Sequence, residues 1–134
     1  MPQRNRFDHI GFTVSDIARS KAFYASALAP LGIGLVMEVT AEMTGSHAHV
    51  GYGHDGNPYF WIGNGEGPLR GKLHVAFSAP DRATVAAFHR AAIAAGGIDN
   101  GAPGLRPHYH ANYYGAFVLD PDGHNIEACC HLPE

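Results

Sequence analysis

Cysteine is scarce in this sequence of 134 residues, and the only two cysteines are neighbours, Cys129 and Cys130. Adjacent residues of a strand point to opposite faces, so these two thiols are poorly placed to bridge each other. A framework of disulfides is therefore not expected. Two reduced thiols fit a protein of the cytoplasm, where disulfides are rare.

Basic residues and long apolar runs are also in short supply. Nine Lys and Arg stand against 12 Asp and Glu, for a formal net charge of -3. No positive excess is left to neutralise a phosphate backbone, so we expect no nucleic-acid partner. The short polar start of the chain leads directly into alternating residues, without the apolar stretch of a signal peptide or a membrane span. We therefore expect a cytoplasmic protein without membrane association.

Histidine is the residue that the sequence has in excess. Ten of the 134 residues are histidine, and imidazole is a common metal ligand. A slightly acidic, histidine-rich chain favours a metal-binding interpretation, although most of the ten must be bystanders. The hydrophobic content of 46% is enough for a packed core, and the length predicts a single domain over residues 1–134.

An internal repeat organises the chain. A shift of 65 residues (74 − 9 = 65) lays one half over the other without a gap. The repeat predicts two modules, roughly 1–66 and 67–134, joined at the turn-forming stretch 64–68. The residues of the first half that recur in the second at this shift include His9, Phe12, Asp16, Ala22, Phe23, Gly32 and Ile33.

Each half predicts a strand, a helix and three further strands. The first strands are residues 8–14 and 73–79, where apolar and polar residues alternate. Asp16 and Asp81 suit the helix starts, and Gly32 and Gly97 suit the helix ends. The fold class is therefore α+β, with two βαβββ modules. The remaining predicted strands, bounded by turn residues, are 33–39, 47–51, 59–62, 105–109, 113–119 and 124–131.

The resemblance to a known family is carried by four segments that span essentially the whole chain. They are residues 8–14 (DHIGFTV), 23–24 (FY), 73–77 (LHVAF) and 117–127 (FVLDPDGHNIE). In these segments the chain resembles the vicinal oxygen chelate superfamily, which includes glyoxalase I, bleomycin-resistance proteins, fosfomycin-resistance enzymes and extradiol dioxygenases. The resemblance implies that the two modules curl into an incomplete cupped barrel. It also implies that the first and last strands of the modules supply metal ligands.

Three residues match the metal ligands that the resemblance implies, namely His9, His74 and Glu127. Two imidazoles and one carboxylate form a mixed nitrogen and oxygen shell that leaves open positions for a substrate. One divalent ion, Zn, Ni, Mn or Fe, is the expected cofactor. A fourth carboxylate is missing, because alignment of the two halves places Ile62 or Phe60 opposite Glu127. This departure weakens the likeness to glyoxalase I itself.

Further site residues are expected on three stretches. His47 and His49 are two residues apart and would share one strand face, towards either the cavity or solvent. Phe60 or Trp61 would form an apolar wall. The stretch 106–114 would orient or protonate a substrate through Arg106, His108, His110 and either Tyr113 or Tyr114, or would place its histidines on a loop surface. His54, His89 and His124 are assigned to solvent.

Two function classes remain open at this point. One is a metal-dependent lyase, isomerase or oxygenase that acts on a small oxygen-bearing substrate, with Glu127, Tyr113, Tyr114 and His108 as catalytic candidates. The other is a metal-free binding protein that sequesters a ligand, as bleomycin-resistance proteins do. Exposed sheet edges favour a homodimer in either case.

Overall fold

The computed structural model describes residues 6–65 and 67–134. The polar start of the chain predicted above falls mostly on residues 1–5, outside the described residues. Within the described part, eight strands form two four-stranded sheets, one in each half of the chain. None of the helices there is long and apolar enough to span a membrane.

The first module contains four strands and two α-helices, with a 3₁₀ turn at Ala29–Leu31 after the first helix. The elements are β1 (Ile10–Thr13), α1 (Ile17–Ala27), β2 (Gly34–Val39), α2 (Ala41–Thr44), β3 (His49–His54) and β4 (Asn57–Gly63). The strand order in the sheet is β1-β4-β3-β2, with β1 parallel to β4.

The second module repeats this arrangement. Its elements are β5 (His74–Ser78), α3 (Arg82–Ala94), β6 (Ile98–Leu105), β7 (Tyr114–Leu119) and β8 (Asn125–Cys130). The strand order is β5-β8-β7-β6, and β5 is parallel to β8. The two unclosed sheets confirm the predicted α+β fold of two βαβββ modules.

The helix starts agree with the sequence, and one of the two helix ends does not. The carboxylates of Asp16 and Asp81 accept hydrogen bonds from the third backbone N–H beyond them, as N-caps do. After α3 the left-handed residue is Gly96, with φ of 101°, and the prediction of Gly97 is wrong. Gly97 is instead needed for close packing, because a Cβ there would lie 2.4 Å from Cγ1 of Val118.

One strand was placed wrongly. The sequence predicts a strand at 105–109, whereas β6 runs from Ile98 to Leu105 and a loop follows it. The strand contains Asn100, Gly101, Pro103 and Gly104, which are all unfavourable in strands. It is tolerated because β6 lies at the edge of its sheet and pairs with β7 through two irregularities in register.

The core lies between each sheet and its helix. Tyr24 of α1 packs against Phe60 of β4 and against its neighbour Phe23, and Phe88 of α3 and Val118 of β7 are buried in the same core. Rings of the two modules also meet directly, with Phe60 and Phe77 at 5.2 Å between centroids. One face of each sheet therefore packs against the core, and the opposite face is available for a functional site.

The Asp-Pro-Asp-Gly turn of the second module ties the two modules together. Asp120 is buried and accepts a hydrogen bond of 2.5 Å from the hydroxyl of Tyr24. Its other oxygen accepts from the backbone N–H groups of Asp122 and His124. Burial, and then the negative charge of Asp120, raise the pKa of the Tyr24 hydroxyl well above its usual value.

Replacement of Tyr24 by Phe should lower the free energy of unfolding by about 1.5–3 kcal/mol, because it removes a donor from a buried carboxylate. Tyr52→Phe is a matched control. Its hydroxyl donates only to the neutral carbonyl of Lys21, so a loss of about 0.5–1.5 kcal/mol is expected. Urea unfolding measures both. Equal losses for the two variants would argue against a special role for the Tyr24–Asp120 contact.

The same contact predicts the sign of a pH effect. The folded pKa of Tyr24 lies above the value of about 10 for an unfolded tyrosine. The stability that the neutral hydroxyl contributes is therefore fully present below about pH 10 and is lost as the pH rises through the folded value. Tyr24→Phe should lose less stability than the wild type between about pH 10 and pH 12.

Two histidines assigned to solvent are not exposed. His124 is only 1% exposed; its Nδ1 accepts from the backbone N–H of Leu73, and its ring packs against Phe12. The assignment failed because the turn before His124 is folded against the other module. His89 on α3 is partly buried, with Nε2 at 2.9 Å from Asp99. His54 is exposed, as predicted, and contacts the hydroxyl of Tyr59.

Candidate metal and substrate site

The candidate site lies on the face of the second sheet that does not contact α3, called here the open face. Strand alternation on β8 places Ile126, Ala128 and Cys130 in the core. It places Glu127 and its alternating neighbours on the open face, as the sequence predicts. Cross-strand pairing then brings Ala76 of β5 and Phe117 of β7 beside Glu127.

His74 and Glu127 meet on the open face. Nε2 of His74 lies 3.1 Å from Oε1 of Glu127. Half of the His74 side chain is exposed, whereas Glu127 is only 2% exposed. A buried carboxylate is costly unless it has partners. The partners of Glu127 are His74 and the hydroxyl of Tyr113.

The orientation of His74 suits a metal ligand. Its Nδ1 lies 2.9 Å from the backbone carbonyl oxygen of Asn125, so this nitrogen carries a proton and donates it. When the ring is neutral, its lone pair is therefore on Nε2, the nitrogen that lies towards Glu127. A backbone carbonyl that fixes the second nitrogen is common around metal-binding histidines. Two ligand atoms at about 2.1 Å from one ion, at right angles, lie roughly 3 Å apart. The spacing of these two donor atoms therefore fits one divalent ion.

Tyr113 supports Glu127 from the other side. Its hydroxyl donates a short hydrogen bond to Oε2 of Glu127. Burial, and then the bond to Glu127, raise the pKa of the Tyr113 hydroxyl far above its usual value. The Tyr113 hydroxyl therefore stays protonated near neutral pH and keeps its hydrogen bond to Glu127. Tyr114 points the opposite way, where its ring lies 5.2 Å from the guanidinium carbon of Arg82. Of the two tyrosines, only Tyr113 contacts Glu127.

A row of three side chains crosses the open face. The ring of His74 stacks on Phe117, with 6.2 Å between centroids and 25° between planes. The guanidinium carbon of Arg106 lies 5.4 Å from the centroid of Phe117. Arg106 directly follows β6, the edge strand next to β7. His74 lies on β5, at the opposite edge of the same sheet. The predicted substrate residue Arg106 is thus on the same face as His74.

A histidine pair next to the site includes a residue that the sequence reasoning missed. Nε2 of His110 lies 2.5 Å from Nδ1 of His131. Nε2 of His131 in turn lies 3.8 Å from the sulfur of Cys129, whose pKa is raised mainly by burial. His131 comes four residues after Glu127, and side chains at even spacing along a strand share one face, so the spacing alone indicates that His131 lies near Glu127.

His9 lies apart from the pair of His74 and Glu127. Its Nδ1 is 2.6 Å from Oδ1 of Asp8, and 59% of its side chain is exposed. His9 and His74 line the same groove, a cavity of about 730 Å³ between the edge strands β1 and β5. Over residues 6–65 and 67–134, no three His, Cys, Asp or Glu side chains converge closely enough to hold a metal ion.

The register of the two sheets corrects the position of the missing ligand. Gly11 pairs with Trp61 in the first module, as Ala76 pairs with Glu127 in the second. The equivalent of Glu127 is therefore Trp61, and neither Phe60 nor Ile62. The interval from the first strand to this position is 61 − 11 = 50 residues in one module and 127 − 76 = 51 in the other. Phe60 and Ile62 are buried in the core.

The other predicted site residues are more scattered. His47 precedes β3, so it does not share a strand with His49. His49 lines a smaller cavity of about 360 Å³ near Lys21 of α1. His108 is exposed and lies 4.2 Å from the ring of Tyr109, which in turn contacts Tyr113. These three histidines are not among the partners of His74 and Glu127.

Comparison with known proteins identifies the family of this chain. A family model described as the glyoxalase/bleomycin resistance protein/dioxygenase superfamily matches residues 6–128. A glyoxalase/bleomycin resistance protein from Albidiferax ferrireducens T118 is 30% identical, with a TM-score of 0.79 over 94% of this chain and 99% of that chain. No protein of curated function matches the sequence.

Two more distant structures share the fold alone. Glyoxalase I from Zea mays is 19% identical, with a TM-score of 0.72 over 96% of this chain and 45% of that chain. A glyoxylase/bleomycin resistance protein/dioxygenase domain from Frankia sp. EAN1pec is 15% identical, with a TM-score of 0.72 over 97% of this chain and 100% of that chain.

Proposed function

The chain belongs to the glyoxalase/bleomycin resistance protein/dioxygenase superfamily, and from this premise we propose that it is a divalent-metal-dependent enzyme acting on a small oxygen-bearing substrate. The observation that carries the proposal is the contact between Nε2 of His74 and Oε1 of Glu127. The carbonyl of Asn125 holds a proton on Nδ1 of His74. When the ring is neutral, Nε2 of His74 and Oε1 of Glu127 are then two ligand atoms, separated by about the distance between two ligands of one metal ion.

His74, Glu127 and His9 would hold the ion. His9 is assigned as the third ligand because it lines the same groove, and because Asp8 occupies its Nδ1 and leaves Nε2 available. When bound, a divalent ion polarises substrate oxygens as a Lewis acid. This chemistry serves a lyase, an isomerase or an oxygenase.

The protein's own residues would supply binding and proton transfer. The groove between β1 and β5 is open to small molecules. Tyr113 holds a proton next to Glu127, and it can donate that proton to a developing oxyanion. Phe117 offers an apolar surface beside His74. These positions make Tyr113 the preferred acid among the catalytic candidates.

Metal uptake by the wild-type protein, purified without a histidine tag, tests the proposal. We expect close to one divalent ion per chain after incubation with Zn, Ni, Mn or Fe(II), measured by elemental analysis. A metal at about 100 times its dissociation constant should also stabilise the folded protein by about 2.7 kcal/mol. If no metal is taken up and stability is unchanged, the metal-free sequestering function is the better assignment.

We also propose that the protein is a homodimer. β2 is the edge strand of the first sheet opposite β1, and its large apolar side chains Leu35 and Met37 are about half exposed. Unpaired edges and exposed apolar residues favour contact with a second copy. Sedimentation equilibrium should give twice the mass of the chain, and a monomer at micromolar concentration would contradict this.

A further inference from the structure

We propose that Arg106 forms an oxyanion subsite, so that the substrate carries a terminal carboxylate or phosphoryl group in addition to the oxygens near His74. This inference rests on the proposed function in one respect: that the ligand bound by Arg106 is part of the substrate. The subsite itself stands on the surroundings of Arg106, which are independent of any metal.

The guanidinium of Arg106 is held in a defined place. Its Nη2 donates to the carbonyl oxygen of Ala102 at 2.7 Å, and Nη1 lies 3.5 Å from that of Leu105. The backbone N–H of Arg106 donates to the carbonyl of Tyr113 at 2.7 Å. The side chain is thus fixed against β6, at the base of the loop that carries Tyr113.

Two glycines of β6 lie directly beside this position. A Cβ at Gly104 would lie 3.1 Å from Nη1 of Arg106, and a Cβ at Gly101 would lie 3.3 Å from Nη2. The guanidinium therefore lies close to the strand, beside the ring of Phe117.

The charge of Arg106 has no carboxylate partner within the described residues. The ion pairs found over 6–65 and 67–134 involve other cations. A guanidinium has five N–H donors, and the two carbonyl contacts use only two of them. The remaining donors can bind a carboxylate or a phosphoryl group, for which the fork of an arginine is well suited.

The position of Arg106 relative to His74 indicates one extended ligand. Both side chains lie against Phe117, His74 on the β8 and β5 side and Arg106 on the β6 side. A substrate whose oxygens lie near His74 and Glu127 would cross the outer edge of Phe117 to reach Arg106. A neutral substrate would leave the Arg106 charge without a counter-ion.

The test uses metal-free protein and three small probes: methylphosphonate, acetate and neutral acetamide. Their dissociation constants are measured by NMR titration, with the Nε–Hε signal of Arg106 as the local reporter. We expect that signal to shift with one or both anions and not with acetamide. The more tightly bound anion identifies a phosphoryl or a carboxylate substrate. If neither anion perturbs Arg106, the subsite is refuted.

Substitutions then give the magnitude. Arg106→Gln should weaken binding of the preferred anion by about 10- to 100-fold, because it removes a charged donor. Arg106→Lys should bind more tightly than Arg106→Gln. Arg90→Gln, on the exposed side of α3, removes the same charge elsewhere and should leave binding unchanged. Equal affinity in wild type and Arg106→Gln would overturn the inference.

The outcome is separable from that of the proposed function. Anion binding at Arg106 without metal uptake would contradict the metal-dependent enzyme and leave the subsite in place. Metal uptake without anion binding would refute the subsite alone.

Discussion

Glu127→Gln should reduce divalent-metal affinity by more than about 100-fold. Even residues that only support a metal ligand typically change affinity by about 10- to 100-fold, and Glu127 is expected to be a ligand itself. Glutamine keeps the shape and can still accept from Tyr113, but it lacks the negative charge. Calorimetric titration with the metal that the wild type retains would measure the change.

The control for this prediction separates metal loss from unfolding. Glutamine has nearly the same size as glutamate, and its amide can still accept from Tyr113 and donate to Nε2 of His74. Metal-free Glu127→Gln should therefore fold, with a cooperative unfolding transition in urea like that of metal-free wild type. Glu38→Gln removes a half-exposed carboxylate that pairs with Lys21, and it should bind metal normally. Undiminished affinity in Glu127→Gln would show that another carboxylate is the ligand.

Tyr113→Phe should lower metal affinity by about 10- to 100-fold, because the hydroxyl that orients Glu127 is lost. Once a substrate is known, turnover should fall by a further 10²-fold or more if Tyr113 is the acid. The metal effect can be measured now by the same titration, and the second effect by assay at saturating metal.

Tyr109→Phe is the matched control for Tyr113→Phe. Tyr109 lies on the same loop and touches the ring of Tyr113, but it is mostly exposed. We expect its loss of a hydroxyl to change metal affinity less than about twofold, within the usual range of surface substitutions. A Tyr113→Phe variant that matches Tyr109→Phe would rule out a role for Tyr113 in holding Glu127.

The site could be predicted where local rules decide it. Alternation along β8 is enough to place Glu127 on the face opposite Ile126 and Ala128. The same rule separates Tyr113 from Tyr114, since neighbours on a strand face opposite ways. The sequence could not say which of the two tyrosines contacts Glu127. That choice depends on how β7 pairs with β8.

Positions that depend on strand register were beyond the sequence. Alignment of the two halves gave Ile62 or Phe60 opposite Glu127, and the structure gives Trp61. The chain between the first and last strands is one residue shorter in the first module than in the second. The strand pairing of the two modules is also irregular at different places. A shift of one residue moves a side chain to the other face of the sheet.

Contacts between distant segments were likewise decided by the tertiary structure. His124 appeared to be a turn residue, but the turn is buried because Asp120 binds Tyr24 of the other module. His131 and His110 are 21 residues apart and meet only because the loop after β6 returns over the end of β8. Neither contact leaves a local pattern.

By itself the sequence determined the two βαβββ modules, their helix starts, and the placement of Glu127 on the face of β8 opposite the core residues, because repeats, caps and alternation are properties of the sequence pattern. Only the tertiary structure decided that Nε2 of His74 lies beside Glu127, that Trp61 corresponds to Glu127 in the first module, and that His74 and Arg106 both lie against Phe117. These features depend on strand pairing and register across the sheets, which single-strand patterns do not encode.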